Sequence, residues 1–194
     1  MISDEALMLE FQGGSREAFE ELFARYRAPL YGFFRRRLQS NGRAEDLMQE
    51  TFLAVIRAAS QYEPRALVRT YLYAIALKLL AAERRKGDRN AASAGAGSEP
   101  SAGNPADTAL WVREAIGRLD AAEREILMLR EYEQLAYSEI ADLLRIPVNT
   151  VRSRLFRSRM ALKGFLEADV RRPETAAANG AASGDQEAPG DDEV

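Results

Sequence analysis

Apolar residues recur at spacings of three and four along most of the chain, which is the period of an amphipathic α-helix. In SREAFEELFARYRAPLYGFFRRRL, Phe19, Leu22, Phe23 and Tyr26 follow this spacing, and Ser15 is placed to cap the helix. No stretch shows the sustained apolar–polar alternation of a half-buried strand. The pattern therefore predicts an all-α fold.

Two segments lack the helical pattern. Residues 90–108 are small and polar, rich in Gly, Ala, Ser and Pro, and typical of a flexible linker. The C-terminal segment has almost no large apolar residue, so burial cannot offset the entropy lost on ordering it. We predict two small helical domains, residues 1–89 and 109–170, joined by the flexible linker 90–108 and followed by a disordered acidic tail, residues 171–194.

Charge is segregated along the chain. The formal net charge of −3 combines +3 for residues 1–90, −2 for residues 91–109, +2 for residues 110–172 and −6 for residues 173–194. The acidic tail thus conceals two mildly basic blocks, and the net charge by itself misleads about the partners of the folded part.

The composition excludes several classes of function. The chain has no cysteine and no histidine, so disulfides, thiolate metal sites, cysteine nucleophiles and histidine bases are impossible. No glycine-rich phosphate loop or nucleophile elbow is present. No uncharged apolar run approaches the roughly 20 residues of a membrane span, and the N-terminus does not resemble a signal peptide. We expect a cytoplasmic protein that is not an enzyme, with no catalytic residues, metal, cofactor or membrane insertion.

The segment EIADLLRIPVNTVRSRLFRSR, residues 139–159, predicts a helix-turn-helix in the second domain. After the break at Ile146–Pro147, Val148, Val151 and Leu155 begin an apolar stripe that should face a core. The opposite face is polar and cationic, and residues 149–163 hold five basic residues and no acid. A solvated helix face ordinarily mixes both signs of charge, so this pattern favours a helix that enters the major groove of DNA.

At this point the chain resembles a known family. The segment LREYEQLAYSEIADLLRIPVNTVRSRLFRSRMAL is similar to the C-terminal DNA-binding domain of bacterial sigma factors of the extracytoplasmic-function (ECF) type. In the first domain, AEDLMQETFLAVIRA resembles the polymerase-binding helix of that family, and TYLYAIALKLLAAERR resembles its promoter-melting helix. The resemblance covers about residues 5–168.

The resemblance implies two sets of contact residues with the polymerase and the −35 promoter element. The set implied for the −35 element is Asn149, Thr150, Arg152, Ser153, Arg154, Phe156 and Arg157, with Thr150 and Arg154 nearer the DNA backbone. The set implied for core RNA polymerase is Asp46, Leu47, Gln49, Glu50 and Phe52, of which Leu47 and Phe52 supply either apolar contact or core. For Phe156, the alternative is a side chain tucked under a neighbouring helix.

A third implied site would melt the −10 element and hold an unstacked base, which requires aromatic surfaces and cations. The implied residues are Tyr62, Arg65, Arg69, Tyr71, Tyr73, Lys78 and Arg85. For Tyr71 and Tyr73 the alternative is core packing. This chain departs from the family by carrying Tyr71, Lys78 and Ala82 where Trp, Asn and often Asp are usual, which puts base identity at this element in question.

Two further departures lie near the turn. Ala136 stands where the family often has a serine, so a helix cap is expected to be lost. Arg145 stands where the family often has glycine, which predicts a non-glycine residue at positive φ.

The resemblance implies a sigma factor that binds core RNA polymerase and promoter DNA, with an anti-sigma factor as a further expected partner. Its two domains would direct transcription initiation by reading the −35 element and melting the −10 element. Two alternatives remain at this point: a sigma-like decoy that sequesters an anti-sigma factor, and a stand-alone helix-turn-helix regulator, which would leave AEDLMQETF without a purpose.

Overall fold

The described part of the protein is helical throughout. The computed structural model describes residues 2–64, 67–94 and 107–170, and within them there are eight α-helices and no strand. The helices are α1 Asp4–Gln12, α2 Arg16–Arg35, α3 Asn41–Ala58, α4 Val68–Ala94, α5 Asp107–Gly117, α6 Ala121–Glu131, α7 Tyr137–Leu144 and α8 Val148–Val170, with a 3₁₀ turn at Ala59–Gln61. The predicted all-α fold is therefore confirmed.

Short polar side chains start the helices where the sequence supplies them. The Oγ atoms of Ser3, Ser15 and Ser40 accept hydrogen bonds from the third backbone N–H beyond each of them, at 3.1–3.2 Å. The carboxylate of Asp120 caps α6 and accepts from the N–H of Ala122 at 2.9 Å and from that of Glu123 at 3.4 Å. Each cap satisfies a backbone donor that the first helical turn leaves unpaired.

Helices α1–α4 form the N-terminal domain around an aromatic core. Leu30, Phe33 and Phe34 of α2 are fully buried, and α3 contributes Leu47 and Phe52 to the same core. The amide of Gln12 also donates to the backbone carbonyls of the 3₁₀ turn and the residue after it, at 2.5 and 2.8 Å, which ties α1 to the end of α3.

The end of α4 differs from the prediction. The sequence predicts a linker that begins at residue 90, shortly after Gly87, whereas α4 continues to Ala94, so residues 90–94 of the predicted linker are helical. A single glycine costs a helix only about 1 kcal/mol, and Ala91, Ala92 and Ala94 have the highest helix propensity. Residues 107–108 of the predicted linker belong to α5. Residues 95–106 and the predicted tail, 171–194, lie outside the described residues.

Helices α5–α8 form the C-terminal domain, in which α8 packs against α5, α6 and α7. Ile126 and Leu129 of α6, Ile140 of α7, and Val151 and Leu155 of α8 are at most 1% exposed. The α5–α6 corner is held by the guanidinium of Arg124, which donates to backbone carbonyls of α5 and of the turn after it at 2.5–3.1 Å. This packing fixes the orientation of α8.

The two domains are in contact. Helix α4 packs on α7, and the buried side chains of both domains belong to one continuous core. Acidic side chains of the C-terminal domain also reach arginines of the N-terminal domain, as in the pair formed by Glu133 and Arg37.

Candidate DNA-binding and polymerase-binding surfaces

The turn between α7 and α8 is built around Arg145. Its φ of 54° and ψ of 47° place it in the left-handed region, as the departure from glycine predicts. This conformation ends α7 and lets the N–H of Ile146 donate to the carbonyl of Ala141 at 3.0 Å. The next helix begins directly after Pro147, so α7 and α8 form the predicted helix-turn-helix.

The start of α7 compensates for the missing serine cap. Ala136 has no side chain that could accept a hydrogen bond, but the carboxylate of Glu139 accepts from the backbone N–H of Ala136 at 2.7 Å. This is the reciprocal half of a capping box. The sequence analysis predicted only the loss of the cap at Ala136 and did not predict this role of Glu139.

The inner face of α8 is sealed as the apolar stripe predicts. Val151, Leu155 and Ser158 are at most 1% exposed, and the Ser158 hydroxyl donates to the carbonyl of Leu155 at 2.9 Å, so its burial leaves no unpaired donor. Leu162 and Phe165 continue the stripe and pack against the core in part.

The outer face of α8 is exposed to solvent and carries the predicted −35 residues. Asn149, Arg152, Ser153, Phe156 and Arg157 are exposed, and Phe156 is 64% exposed, so its ring is not tucked under a neighbouring helix. The remaining two residues of the set, Thr150 and Arg154, are half-buried at the edge of this face.

The polar contacts of this face are weak and lie within the C-terminal domain. Arg157 donates to the carboxylate of Glu123 at 2.8 Å, and its side chain remains 60% exposed. Arg152 donates to the side chain of Asn149 at 3.2 Å. Exposed ion pairs are worth at most about 1 kcal/mol, so these arginines can exchange their partners for phosphates or base edges at little cost.

The predicted polymerase-binding residues of α3 separate into two groups. Asp46 and Gln49 are exposed and Glu50 is half-buried on the outer face, whereas Leu47 and Phe52 are 1% and 4% exposed and belong to the core. Of the two roles that the sequence leaves open for Leu47 and Phe52, the structure therefore places them in the core.

Two apolar residues on the outer face of α3 were missed by the sequence analysis. Leu53 and Ile56 are 47% and 45% exposed. Positions 46, 49, 50, 53 and 56 lie on one side of α3, opposite its buried residues. Helical periodicity could therefore have placed Leu53 and Ile56 on the exposed face. Two exposed apolar side chains therefore lie beside the carboxylates on the outer face of α3.

Arg43 fixes the orientation of this face. Its guanidinium donates to Glu83 of α4 at 2.7 Å and to Glu50 at 3.2 Å, which joins α3 to α4. The hydrogen bond with Glu83 raises the pKa of Arg43, and the same bond lowers the pKa of Glu83. Both groups therefore remain charged across the physiological range.

The residues predicted to melt the −10 element do not form one exposed surface in this conformation. Tyr62 and Tyr73 are 6% and 2% exposed, so neither offers a ring to an unstacked base. Burial raises the pKa of Tyr73, whose hydroxyl donates to Glu133 of the C-terminal domain at 3.3 Å. The sequence left open whether Tyr73 stacks on a base or packs in the core. The structure places it in the core, because helices on several sides cover α4 and widen its buried face.

The other members of this set differ in accessibility. Tyr71 is half-buried with its ring centroid 5.3 Å from that of Tyr62, and Arg69 is paired with Glu139 at 2.5 Å. Lys78 and Arg85 are exposed. Arg65 lies outside the described residues.

Among the described residues, no group of three or more Asp and Glu side chains is arranged to hold a metal ion. No helix in residues 2–64, 67–94 and 107–170 is long and apolar enough to cross a bilayer.

Both halves of the chain match known families. Residues 22–90 match Sigma-70 region 2, and residues 109–162 match Sigma-70, region 4. The chain is 31% identical over 183 residues to the RNA polymerase sigma-H factor of Pseudomonas aeruginosa, covering 84% of this chain and 94% of that protein. It is 32% identical over 190 residues to the ECF RNA polymerase sigma-E factor of Salmonella typhimurium, covering 88% of this chain and 98% of that protein.

A solved structure shares the fold. It contains the sigma factor RpoE in complex with the anti-sigma factor NepR from Bartonella quintana, with a TM-score of 0.68 and 23% sequence identity, and the match covers 78% of this chain and 98% of that chain. The two family matches in this order, the relatives of similar length and the shared fold agree with the helix-turn-helix described above. The chain therefore belongs to the ECF sigma factors, the promoter-recognising subunits of bacterial transcription initiation.

Proposed function

We propose that this sigma factor binds core RNA polymerase through the outer face of α3, reads the −35 promoter element with α8 and melts the −10 element with α4 and the segment before it. The observation that carries the proposal is the exposed cationic face of α8, opposite an apolar face on which Val151 and Leu155 are buried. We further propose domain limits of 1–89 and 109–170, which contain most or all of the two matched regions, 22–90 and 109–162.

At the −35 element, the outer face of α8 would enter the major groove. Arg152 and Arg157 can donate to guanine O6 and N7, Ser153 can contact either base type, and the ring of Phe156 can pack on a thymine methyl. Thr150 and Arg154, at the edge of the face, are placed to contact phosphates, which position a protein on DNA without specifying sequence.

For core polymerase, the proposed surface combines charge and apolar area on one side of α3. Asp46, Gln49 and Glu50 supply polar contacts, and Leu53 and Ile56 supply the apolar part that a stable interface needs at its centre. This assignment replaces the buried Leu47 and Phe52 by Leu53 and Ile56.

At the −10 element, Lys78 and Arg85 of α4 would contact the DNA backbone, and Tyr71 is the most accessible of the three tyrosines for stacking. Lys78 offers a point charge but no amide acceptor, so it suits a phosphate better than a base edge. Arg69 can contact the −10 element only after its ion pair with Glu139 is broken.

We also propose a cytoplasmic location, since core polymerase and promoter DNA are found there, and an anti-sigma factor as a partner. Support for the latter comes from the fold that the chain shares with a sigma factor solved with its anti-sigma factor. The chemistry of nucleotide addition would remain with the polymerase; in support, the described residues include no Asp/Glu cluster arranged to hold a metal ion.

Run-off transcription with purified core polymerase tests the proposal. The expected result is a transcript from a promoter with both elements only when the chain is present, and its loss when either element is scrambled. A chain that binds core but yields no transcript on any mapped promoter would support the decoy, and a chain that binds DNA but not core would support the stand-alone regulator.

A further inference from the structure

Glu123 of α6 binds one of the arginines that the outer face of α8 presents to solvent. The Nε of Arg157 donates to the carboxylate of Glu123 at 2.8 Å, and the two residues are 34 positions apart, so this hydrogen bond is a tertiary contact between α6 and α8. The side chain of Glu123 is 18% exposed, whereas that of Arg157 is 60% exposed. The carboxylate is therefore largely covered, while the arginine that it binds remains accessible.

Glu123 has a fixed position in the C-terminal domain. It lies in the first turn of α6, where a negative charge is favoured by the helix dipole, and its backbone N–H donates to the carboxylate of Asp120 at 3.4 Å. One turn further on, Ile126 and Leu127 are buried in the core, and α6 packs against α8. Glu123 therefore gives Arg157 a reference point outside its own helix.

The backbone that carries Arg157 is also held in place. Leu155 and Ser158, which lie close to it along α8, are both buried, so α8 cannot turn about its axis without exposing them. The arginine side chain itself has many rotamers, and ordering it on binding costs entropy. A partner that already restricts these rotamers in the free protein reduces this cost and limits the directions in which the guanidinium can point.

The hydrogen bond with Glu123 uses one nitrogen of the guanidinium. Glu123 accepts from Nε, whereas Nη1 and Nη2 carry the other N–H donors and form the outer end of the group. Parallel N–H donors of an arginine match the O6 and N7 acceptors of guanine. Arg157 can therefore keep its bond to Glu123 while Nη1 and Nη2 contact a base.

Two other arginines of α8 provide a comparison. Arg152 donates to Asn149 of its own helix at 3.2 Å, so its partner is local. Arg159 donates to Glu131, at the other end of α6, at 2.7 Å, but Arg159 lies outside the set proposed for the −35 element. The described residues thus include two arginine–glutamate bridges from α8 to α6, and the bridge to Glu123 ends at a residue proposed to read DNA.

The geometry points to Glu123 as a positioning residue for the −35 element: by holding the Nε of Arg157, it fixes the direction of the guanidinium and sharpens discrimination at the base pair that Arg157 contacts. This inference rests on the proposed function of α8 in the major groove. An exposed ion pair contributes little to stability, so the effect is on recognition. The negative charge of Glu123 also opposes the binding of any DNA sequence, which makes it a determinant of specificity at the expense of affinity.

Transcription by core polymerase carrying the full chain, on promoters that differ at single −35 positions, tests the inference. Arg157→Ala first identifies the base pair that Arg157 reads, as the position at which this variant loses its preference among the four bases. Glu123→Ala should then reduce the preference at that position about threefold to fivefold, as the loss of one exposed ion pair predicts, and leave the other positions unchanged. Glu123→Gln retains an acceptor oxygen without the charge and should fall between the native chain and Glu123→Ala.

The matched control is Glu131→Ala, which removes the same charge from the same helix and breaks the bridge to Arg159. It should keep the native preference at every −35 position. Any gain in binding to DNA with a scrambled −35 element should be similar in Glu123→Ala and Glu131→Ala, because both lose one negative charge. A change of preference confined to Glu123→Ala therefore separates the positioning of Arg157 from general charge and from the packing of α6 on α8.

A double-substitution cycle supplies a second readout. In a chain that already carries Arg157→Ala, adding Glu123→Ala should cause no further loss of preference, because the carboxylate acts through a guanidinium that is no longer present. A residue that only stabilised α6 would lower the transcript yield to the same extent with and without Arg157, and that result would contradict the inference.

The outcomes also separate this inference from the proposed function. If Arg157→Ala loses its base preference but Glu123→Ala keeps it, or if Glu123→Ala and Glu131→Ala lose it equally, the inference is wrong and the proposed function stands. If Arg157→Ala changes no −35 position, both are wrong. Circular dichroism establishes that the variants are folded; should Glu123→Ala unfold, Glu123→Gln is compared with Glu131→Gln, and equal preferences in that pair overturn the inference.

Discussion

The two surfaces proposed to contact promoter DNA differ in how accessible they are. On α8, the cationic outer face is exposed, and its contacts lie within its own domain and are easily exchanged. At the start of α4, Arg69 and Tyr73 are held by Glu139 and Glu133 of the other domain, and Tyr73 is almost completely buried. Arginine and an aromatic residue therefore form an exposed surface on α8, whereas the same residue types form a contact between the two domains at the start of α4.

A composition typical of DNA binding therefore does not establish an accessible DNA-binding surface. On α8 the apolar and polar residues separate cleanly into two faces, so exposure follows from periodicity alone. Helix α4 is covered by other helices of its own domain and by α7 of the other, so most of its first half is buried or half-buried. Four predictions test this difference in accessibility, in order of decreasing expected effect.

The double substitution Arg152→Ala and Arg157→Ala in α8 should lower promoter-dependent transcription by about 100-fold or more. Each bidentate arginine–guanine contact is worth about 1–3 kcal/mol, and the two residues are exposed and free to enter a groove. Run-off transcription with core polymerase provides the measurement. Arg113→Ala, an exposed arginine on α5, is the control and should change the yield little; equal losses in both variants would mean that α8 contributes only general charge.

The contrast extends to a third surface, the outer face of α3. Leu53→Ala with Ile56→Ala should weaken binding to core polymerase by about tenfold to thirtyfold, since burying a half-exposed aliphatic side chain contributes roughly 1 kcal/mol. Affinity measured by fluorescence anisotropy of labelled chain with purified core is the readout.

The buried neighbour Val55 provides the control for this experiment. Val55→Ala should lower the melting temperature, because it leaves a cavity in the core, yet leave the affinity of the folded protein for core almost unchanged. If instead the variant with Leu53→Ala and Ile56→Ala binds core polymerase normally, these two side chains bind a partner other than core polymerase.

The covered surface at the start of α4 should be sensitive to acid. The folded-state pKa of Glu139 lies below its ordinary value of 4.5, so its stabilising contribution is fully present above that pH and is lost as the pH falls through the lower, folded-state pKa. Glu139→Gln should therefore show a smaller loss of unfolding free energy than the native chain as the pH falls below about 4.5. Denaturant titrations at several pH values measure this, with Glu131→Gln as an exposed control; parallel curves for the native chain and Glu139→Gln would contradict the pairing with Arg69.

The smallest expected effect concerns the turn that presents α8. Arg145→Gly should raise the free energy of unfolding of the C-terminal domain by about 1 kcal/mol, because glycine adopts the left-handed conformation without a Cβ penalty. Thermal denaturation followed by circular dichroism measures it, and Gln134→Gly, at the other positive φ, should act in the same direction. A lower melting temperature in Arg145→Gly would mean that the arginine side chain itself stabilises the turn.

Much of the fold could be predicted because its signals are local. The cap at Ser15, the helical spacing and the break at Ile146–Pro147 depend on neighbours within a few positions, and the structure confirms them. The predicted start of the linker at residue 90 is wrong, because the alanines that follow Gly87 sustain α4 to Ala94. The inner and outer faces of α8 were predicted for the same local reason.

The sequence by itself thus determined the helices, the turn and the division of α8 into a core face and a cationic face, since each depends on periodicity and on residue-specific backbone preferences. Only the tertiary structure decided that Leu53 and Ile56 are exposed, that Tyr62 and Tyr73 are buried, and that Glu133 and Glu139 meet arginines 70 to 97 positions away. The physical reason is that burial and ion pairing depend on which helices pack together, and that packing is a property of the whole chain and not of any local pattern.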